Sequence, residues 1–473
     1  MNFNQELITH ICNDVNSSEK IKLRKEDYDR FLLLQGKSKE VIANAIKSEF
    51  KKQETINELL NRVVPLNITE KVIKKLAGVY VEDPIRVDRN QDEVNNTLIE
   101  DLEIEMNMNI RCKEGNQYFK LYKRNLEELF LGENGQPQMR NLPRHTYEVY
   151  SFNKKQPDIV DVVVKILENH QDLKKQKLAI WSKDNHIVCN GAGEIMTEQM
   201  LNMKNPEGLN PYKVMPFVYN NSVSYSVNPL SDDDLISFAI LIPLLLTDLL
   251  FATKYQSWAI LYTVGFDGEI PFNPNSVINV DYLPNGLAPE IKSIKPEIDS
   301  DKIIAIVENL ISYLLSTKNL STSSIIGKTS DVISGVSKML DSAESVEDKK
   351  DQQAYFTKAE KERFHILSKY LFPYWKQNNL LNEQYNDLDF TDDFQLNIIF
   401  TNPKPFINDS DKIKLAKERL HLRLSTIKRE LKYIYPYMSE DELFSLYNEI
   451  IKERNLLNGK LQPDNKSKLD EIV

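Results

Sequence analysis

Cysteine is nearly missing from this 473-residue chain: there are three, Cys12, Cys112 and Cys189, far apart and without a CxxC pair. An odd, sparse set is the usage of a reduced intracellular protein, and it speaks against a disulfide scaffold or a cysteine zinc site. Histidine is equally thin. His10, His145, His170, His186, His365 and His421 stand singly, with no HExxH or paired spacing, so no metal site is expected. Only 14 glycines are present, too few for a collagen-like or low-complexity chain. The opening MNFNQELITH lacks a basic stretch followed by an apolar core, so no secretory signal is expected. Positive charge is also in deficit, with 60 Lys and Arg against 70 Asp and Glu, a net −10. Proteins that grip nucleic acid over their general surface do so by neutralising phosphates. That class is disfavoured, and a local basic patch stays open.

Catalytic signatures are missing too. Gly327-Lys-Thr-Ser330 ends like a phosphate-binding loop, but Thr322 stands where the first glycine belongs. Gly335-Val-Ser-Lys-Met339 has Met339 where a nucleophile elbow needs glycine. Ser425-Thr-Ile-Lys428 matches SxxK at the level of chance. Asp387-Leu-Asp389 opens like a calcium loop, yet Asp392 replaces its glycine and Ile398 its bidentate glutamate. Gly191-Ala-Gly193 is too short for a dinucleotide fingerprint. The chain is therefore expected to carry no catalytic residue, no cofactor and no metal, and to act as an assembly component, not an enzyme.

What is present is helix, in quantity, around a smaller sheet-bearing region. At this length the prior is roughly three domains or one large elaborated one. Apolar residues at helical spacing run through Lys20–Lys52, and Asn67 is a good N-cap for a helix through Val72, Ile73, Leu76 and Ala77, stopped by Pro84. Between 109 and 225, the segments Tyr118–Leu121, Thr146–Phe152, Ile159–Ile166, Lys177–Trp181 and His186–Cys189 are β-branched and aromatic and read as strands. Ser231 and Asp234 resemble a capping box for a helix reaching about Thr263. Its run Leu235–Thr253 is long enough to cross a bilayer, which takes about 20 residues. Asp248 at mid-membrane costs about 2.5–3.5 kcal/mol, and Pro243 interrupts the run, so burial in protein is the expected state. A helix apolar on every face needs cover on every face, more than one chain supplies, so subunit contacts are expected. An insert with a strand at Val277–Tyr282 follows, then a second apolar helix after Ser300. A Ser/Thr/Lys stretch leads to a polar helix from the Ser345–Asp348 capping box to about Trp375. A strand at Phe394–Phe400, a helix Asp411–Leu424 and a capped helix Leu443–Arg454 complete the pattern.

Several local patterns, in this order, resemble the portal proteins of tailed bacteriophages in their siphophage-type form. The segment Asn61-Arg-Val-Val-Pro-Leu-Asn-Ile-Thr-Glu-Lys-Val-Ile-Lys-Lys-Leu-Ala-Gly-Val-Tyr80 with Glu82-Asp-Pro-Ile85 looks like the early portal helix and the turn leaving it. Asn210-Pro-Tyr-Lys-Val-Met-Pro-Phe-Val218 is similar to the family's Met-Pro-Phe segment. Ser334-Gly-Val-Ser-Lys-Met-Leu340 resembles the step out of the tunnel loop, and Ser425-Thr-Ile-Lys-Arg-Glu-Leu431 with Ser439-Glu-Asp-Glu442 the C-terminal helices. The resemblance spans about residues 55–455.

It implies an α+β, predominantly helical subunit with a mixed wing (1–230), stem helices (231–263 and 300–317) and a small β clip (264–299). A tunnel loop (318–345), a long helix with a returning wing strand (346–408) and a helical crown (409–473) follow. It further implies a ring of about twelve copies at one capsid vertex. Double-stranded DNA would pass through the channel, and terminase, major capsid and scaffold proteins and a head–tail adaptor would be partners. The location implied is the virion, with host cytoplasm during assembly, and no membrane. Lys328 and Lys338 are the implied DNA-channel contacts. The alternative reading is a membrane-associated or other oligomeric scaffold without a DNA role.

Overall fold

The computed structural model describes residues 3–203, 205–229, 231, 234–257, 260–264, 290–294, 299–320, 335–385, 389–400, 409–422, 425–435, 438 and 440–460. The chain divides into two units, residues 1–401 and 402–473. It is mixed α+β and predominantly helical.

The first unit starts with five short helices: α1 (Gln5–Val15), α2 (Ser18–Leu34), α3 (Ser38–Glu49), α4 (Gln53–Leu60) and α5 (Ile68–Leu76). Local sequence signals set several of their ends. Asn4 caps α1 by accepting from the Leu7 amide at 2.9 Å, and Asn67 caps α5 through the Glu70 amide. The helical pattern from Lys20 to Lys52 is broken at Gly36, whose φ of 76° closes α2: the Lys37 amide reaches the Leu32 carbonyl and the Gly36 amide that of Leu33.

After β1 (Ile85–Asp88) come α6 (Glu93–Glu105) and α7 (Met108–Tyr122). The strand expected at Tyr118–Leu121 is therefore helix. Its Gly115, Asn116 and aromatics are poor helix formers, and tertiary contacts hold them. Asn116 accepts from the Val79 amide, while a side chain at Gly115 would meet Asn125 at 2.7 Å and Asn141 at 2.8 Å.

Two antiparallel sheets follow. β2 (Arg124–Leu131) lies between β3 (Pro137–Leu142) and β8 (Phe217–Asn221). The strands β4 (Tyr147–Tyr150), β5 (Val162–Glu168), β6 (Lys177–Trp181) and β7 (His186–Asn190) pair in sequence order as a meander. A short α8 (Thr197–Asn202) lies between β7 and β8. One face of the meander packs under α1 through Ile8, Ile11, Val162, Val164, Leu178 and Ile180.

The apolar run forms α9 (Asp234–Ser257), which ends before the expected Thr263. Ile260-Leu-Tyr-Thr-Val264 is instead a strand, β9, whose β-branched and aromatic residues suit pairing with β10 (Glu290–Ile294) in register Ile260↔Ile294. The strand expected at Val277–Tyr282 lies outside the described residues. α10 spans Ser300–Thr317, where sequence periodicity places a helix.

The polar helix, α11 (Gly335–Ile366), starts well before the expected Ser345–Asp348 cap, which lies inside it. The stretch ahead of that cap, Gly335–Glu344, is already helical, so no start is needed there. A π-helical turn, Leu367–Leu371, leads into α12 (Phe372–Gln377). Pro373 would clash with the carbonyl four residues earlier in a regular helix, and the wider turn makes room for it. β11 (Leu396–Ile399) then returns to pair antiparallel with β1, Ile85 facing Ile399.

The second unit contains α13 (Asp409–His421), α14 (Ile427–Ile434) and α15 (Glu440–Lys460). Thr426 caps α14 through the Arg429 amide, and Arg419 approaches Glu430 at 3.7 Å.

Candidate functional site

The feature with the most unusual physical chemistry is the α9–α10 hairpin. Asp234 at the start of α9 pairs with Lys318 at the end of α10 at 2.9 Å, so the helices run antiparallel with their base clamped. Favourable termini reinforce the clamp, an acid at a helix N-terminus and a cation at a C-terminus. Asp299 caps α10 by accepting from the Lys302 amide at 3.1 Å.

The N-terminal helices hold part of α9. Leu235 and Ile242 share a core with Val72, Ile73, Val307 and Leu314. Ala239 packs on Leu32, Leu33 and Val41, and Leu244 and Phe251 on Ile42, Ile46 and Leu59. Pro243 leaves a gap in the helical hydrogen-bond ladder. The Thr247 hydroxyl donates to the Pro243 carbonyl at 2.7 Å and accepts from the Val64 amide at 3.2 Å, tying the interrupted turn to the α4–α5 connection. The Asp248 carboxyl is only partly shielded from solvent, and that shielding together with nearby Glu49 raises it.

Cover is incomplete. The window Asp234–Thr253 has a mean hydropathy of 2.4, yet only a third of its residues are fully buried, the others being partly or wholly exposed. Leu241 is 43% and Leu250 52% exposed, and on α10 Ile306 is 51% and Tyr313 68% exposed. Single exposed aliphatics are ordinary, whereas several large apolar side chains left open on both helices of one hairpin are the kind of surface that takes a partner.

Behind the hairpin stands α11, held by charge. Glu360 is fully buried and accepts from Arg86 Nε at 3.0 Å, Arg86 Nη2 at 2.8 Å and the Tyr80 hydroxyl at 2.8 Å, and it also pairs with Arg363. Arg363 in turn forks onto Glu127 of β2 at 2.9 and 3.0 Å. Burial alone would raise the Glu360 carboxyl, but the guanidiniums of Arg363 and Arg86 overcome it and hold it at about 2. Burial wins at Glu127, whose carboxyl is raised despite Arg363. A second such knot holds α2 to the meander. Glu148 meets Arg144 at 2.7 Å, Lys20 at 3.3 Å and Arg24 at 3.4 Å, which bring its carboxyl to about 2 against the opposing effect of burial.

A cavity of about 240 Å³ lies where hairpin base and α11 meet, with Lys75, Lys120, Lys318 and Asp348 on its wall. Lys120 is spent on Asp348 at 2.9 Å and Lys318 on Asp234, and among the described residues no nucleophile–base pair faces it.

Lys328 lies outside the described residues. Lys338 falls in the N-terminal part of α11, and its side chain lies outside them as well. Gly327–Ser330 is likewise outside the description. Ser425 and Lys428 flank the Thr426 cap of α14, and Asp389 pairs with Lys376 at 2.5 Å. His145 sits against Tyr28 and Phe31, and His186 stacks on Trp181 with ring centres 3.5 Å apart. Among the described residues no group of three or more metal-ligating side chains is assembled. The buried charge knots were not foreseen. The only signal was a polar helix whose Tyr355, Phe356, Phe364 and Ile366 had to pack against something.

No protein-family model matches the chain, and no curated protein matches it.

Proposed function

We propose that this chain is the subunit of a portal-type ring at a capsid vertex, a conduit for double-stranded DNA in packaging and ejection. The observation that supports this reading is the α9–α10 hairpin, whose apolar helix α9 has one third of its residues fully buried and which leaves Leu241, Leu250, Ile306 and Tyr313 exposed. In a ring, each hairpin covers the open flank of the next through a head-to-tail interface that closes on itself. The hairpin is then the stem, the β9–β10 ribbon the root of the clip, residues 1–230 with β11 the wing, and the second unit the crown.

Catalysis belongs to a separate terminase on this reading, and the chain needs no cofactor. Terminase and the head–tail adaptor dock at the exposed clip, and capsid and scaffold proteins surround the wing. A net −10 per chain, repeated around a ring, gives a wall that releases few counterions and so does not hold DNA. Lys328 and Lys338 supply the few phosphate contacts.

Native mass measurement and electron microscopy test the reading directly. The expected result is rings of about twelve copies, about 660 kDa for a 54.9 kDa chain, with a central hole. Monomers or compact dimers under assembly conditions would overturn it. Replacing Lys328 and Lys338 together by alanine should leave rings intact while changing packaging or DNA retention, and unchanged packaging removes their role.

The membrane-associated alternative draws on the same helix, which is long and apolar enough to span a bilayer. Against it stand the contacts of α9 with α3, α4 and α5 and the tie from Thr247 to Val64. Chain that stays in solution without detergent and assembles there excludes the alternative.

A further inference from the structure

Cys12 and Cys189 are separated by 177 residues, yet their sulfurs lie 3.6 Å apart in the core between α1 and β7. Both residues are fully buried, among Ile8, Ile11, Leu178 and Ile187. The two thiols are inequivalent. The hydrogen bond from Cys189 lowers Cys12, while the same bond, helped by burial, pushes Cys189 up.

Helix α1 is the first element of the described chain and is fastened by polar contacts at its two ends. Near its start, Gln5 Nε2 donates to the Gly193 carbonyl at 2.7 Å. At its end, Asn16 Nδ2 donates to Gln176 Oε1 at 2.9 Å and the Gly191 carbonyl at 3.2 Å. Gly193 in the turn after β7 lets the helix come this close. Gly193 has φ of +87°, and a side chain there would stand 3.0 Å from the Thr9 Cα.

We propose that Cys12 and Cys189 form a modification site, an oxidisable dithiol that closes to a disulfide and latches α1 onto the meander. The co-reactant is a small-molecule disulfide of the glutathione class. The Cys12 thiolate attacks one sulfur of that reagent, forming a mixed disulfide and expelling one thiolate. Cys189 then gives up its proton and attacks the Cys12 sulfur, expelling the second. The two protein sulfurs are oxidised and the reagent is reduced to two thiols. The protein sulfurs must close from 3.6 Å to about 2.05 Å. Because both are buried, the reaction waits on transient opening of α1, and its rate follows that opening. Once made, the bond encloses a long loop and restricts the unfolded chain.

The test uses the full chain incubated with oxidised glutathione, alkylated, and digested without reductant. The expected product is a Cys12–Cys189 linked peptide pair, with Cys112 recovered as a thiol. Amide exchange across residues 5–15 should slow by about tenfold or more, and the melting midpoint should rise by several degrees, both reversed by reductant. The Cys12→Ser variant should lose the linked pair and both responses. Recovery of Cys12 and Cys189 as separate thiols or glutathione adducts, at denaturant levels that open α1, would overturn the proposal. So would a bond to Cys112, or a Cys12–Cys189 bond that leaves exchange across 5–15 unchanged. None of these outcomes depends on the ring reading.

Discussion

The two helices α9 and α11 invert the usual relation between composition and burial. α9 is almost entirely apolar yet only partly covered, whereas α11 is largely polar and carries Glu360 and Arg363, both fully buried, into the core beside Phe356 and Phe364. Apolar surface is non-directional and accepts any apolar partner, so α9 can be completed by another molecule. Buried charge is demanding, because each group must find its own counter-charge at hydrogen-bond distance. Arg86, Glu127 and Tyr80 all lie within the first unit, so α11 is completed by its own chain. The lesson is that here the charged interface fixes the subunit, and the greasy one faces outward.

The largest effect should come from breaking the charged side of this contrast. Glu360→Ala strands Arg86 and Arg363 in the core and should destabilise the first unit by about 3–5 kcal/mol, measured by urea unfolding. An unfolding midpoint equal to that of the unmodified chain would show the knot to be ornamental.

Acid comes next. Glu360 and Glu148 sit at about 2 in the folded chain against an ordinary 4.5. A depressed carboxyl stabilises above its unfolded pKa, so the contribution is complete above about pH 4.5 and is lost as pH falls toward 2. Each carboxylate accounts for about 3 kcal/mol. Glu127, raised by burial, takes up its proton earlier in the folded state and partly offsets the loss. Stability measured from pH 5 to pH 2 should fall steeply, and a flat profile would contradict the ion pairing.

The smallest effect on the folded chain should follow from Leu241→Ser with Ile306→Ser. Both positions are about half exposed, so unfolding should shift by no more than about 0.5 kcal/mol each. Assembly into rings should nevertheless be lost, as read by native mass. Intact rings from this double variant would move the subunit interface elsewhere.

Periodicity and composition were enough for α10 and for β6, because Ile and Leu at helical spacing, or five residues rich in apolar side chains between turns, report burial directly. They failed at α7, where Gly115 and Asn116 are helical only because Val79, Asn125 and Asn141 crowd them. They also misplaced the start of α11, since a capping pair such as Ser345 and Asp348 is equally at home inside a helix. The exposed face of α9 was legible as an excess of apolar residues needing cover, although which residues stay open was not. The Cys12–Cys189 contact was illegible in principle: a separation of 177 residues carries no spacing signal. Nor does spacing reveal that Arg86 and Glu360, 274 residues apart, share a bond.

The π-helical turn at Leu367–Leu371 has a consequence for how the chain tolerates changes of length. Each residue of an α-helix rotates the next side chain by about 100°, and a π turn holds one residue more than an α turn. Deleting one residue there would close the segment to an ordinary α turn with Phe372 and Trp375, both buried, still facing the core, and would bring back the clash of the Pro373 ring with the carbonyl one turn earlier. Residue count in this segment is therefore set by proline: a one-residue deletion would be tolerated together with Pro373→Ala and not without it.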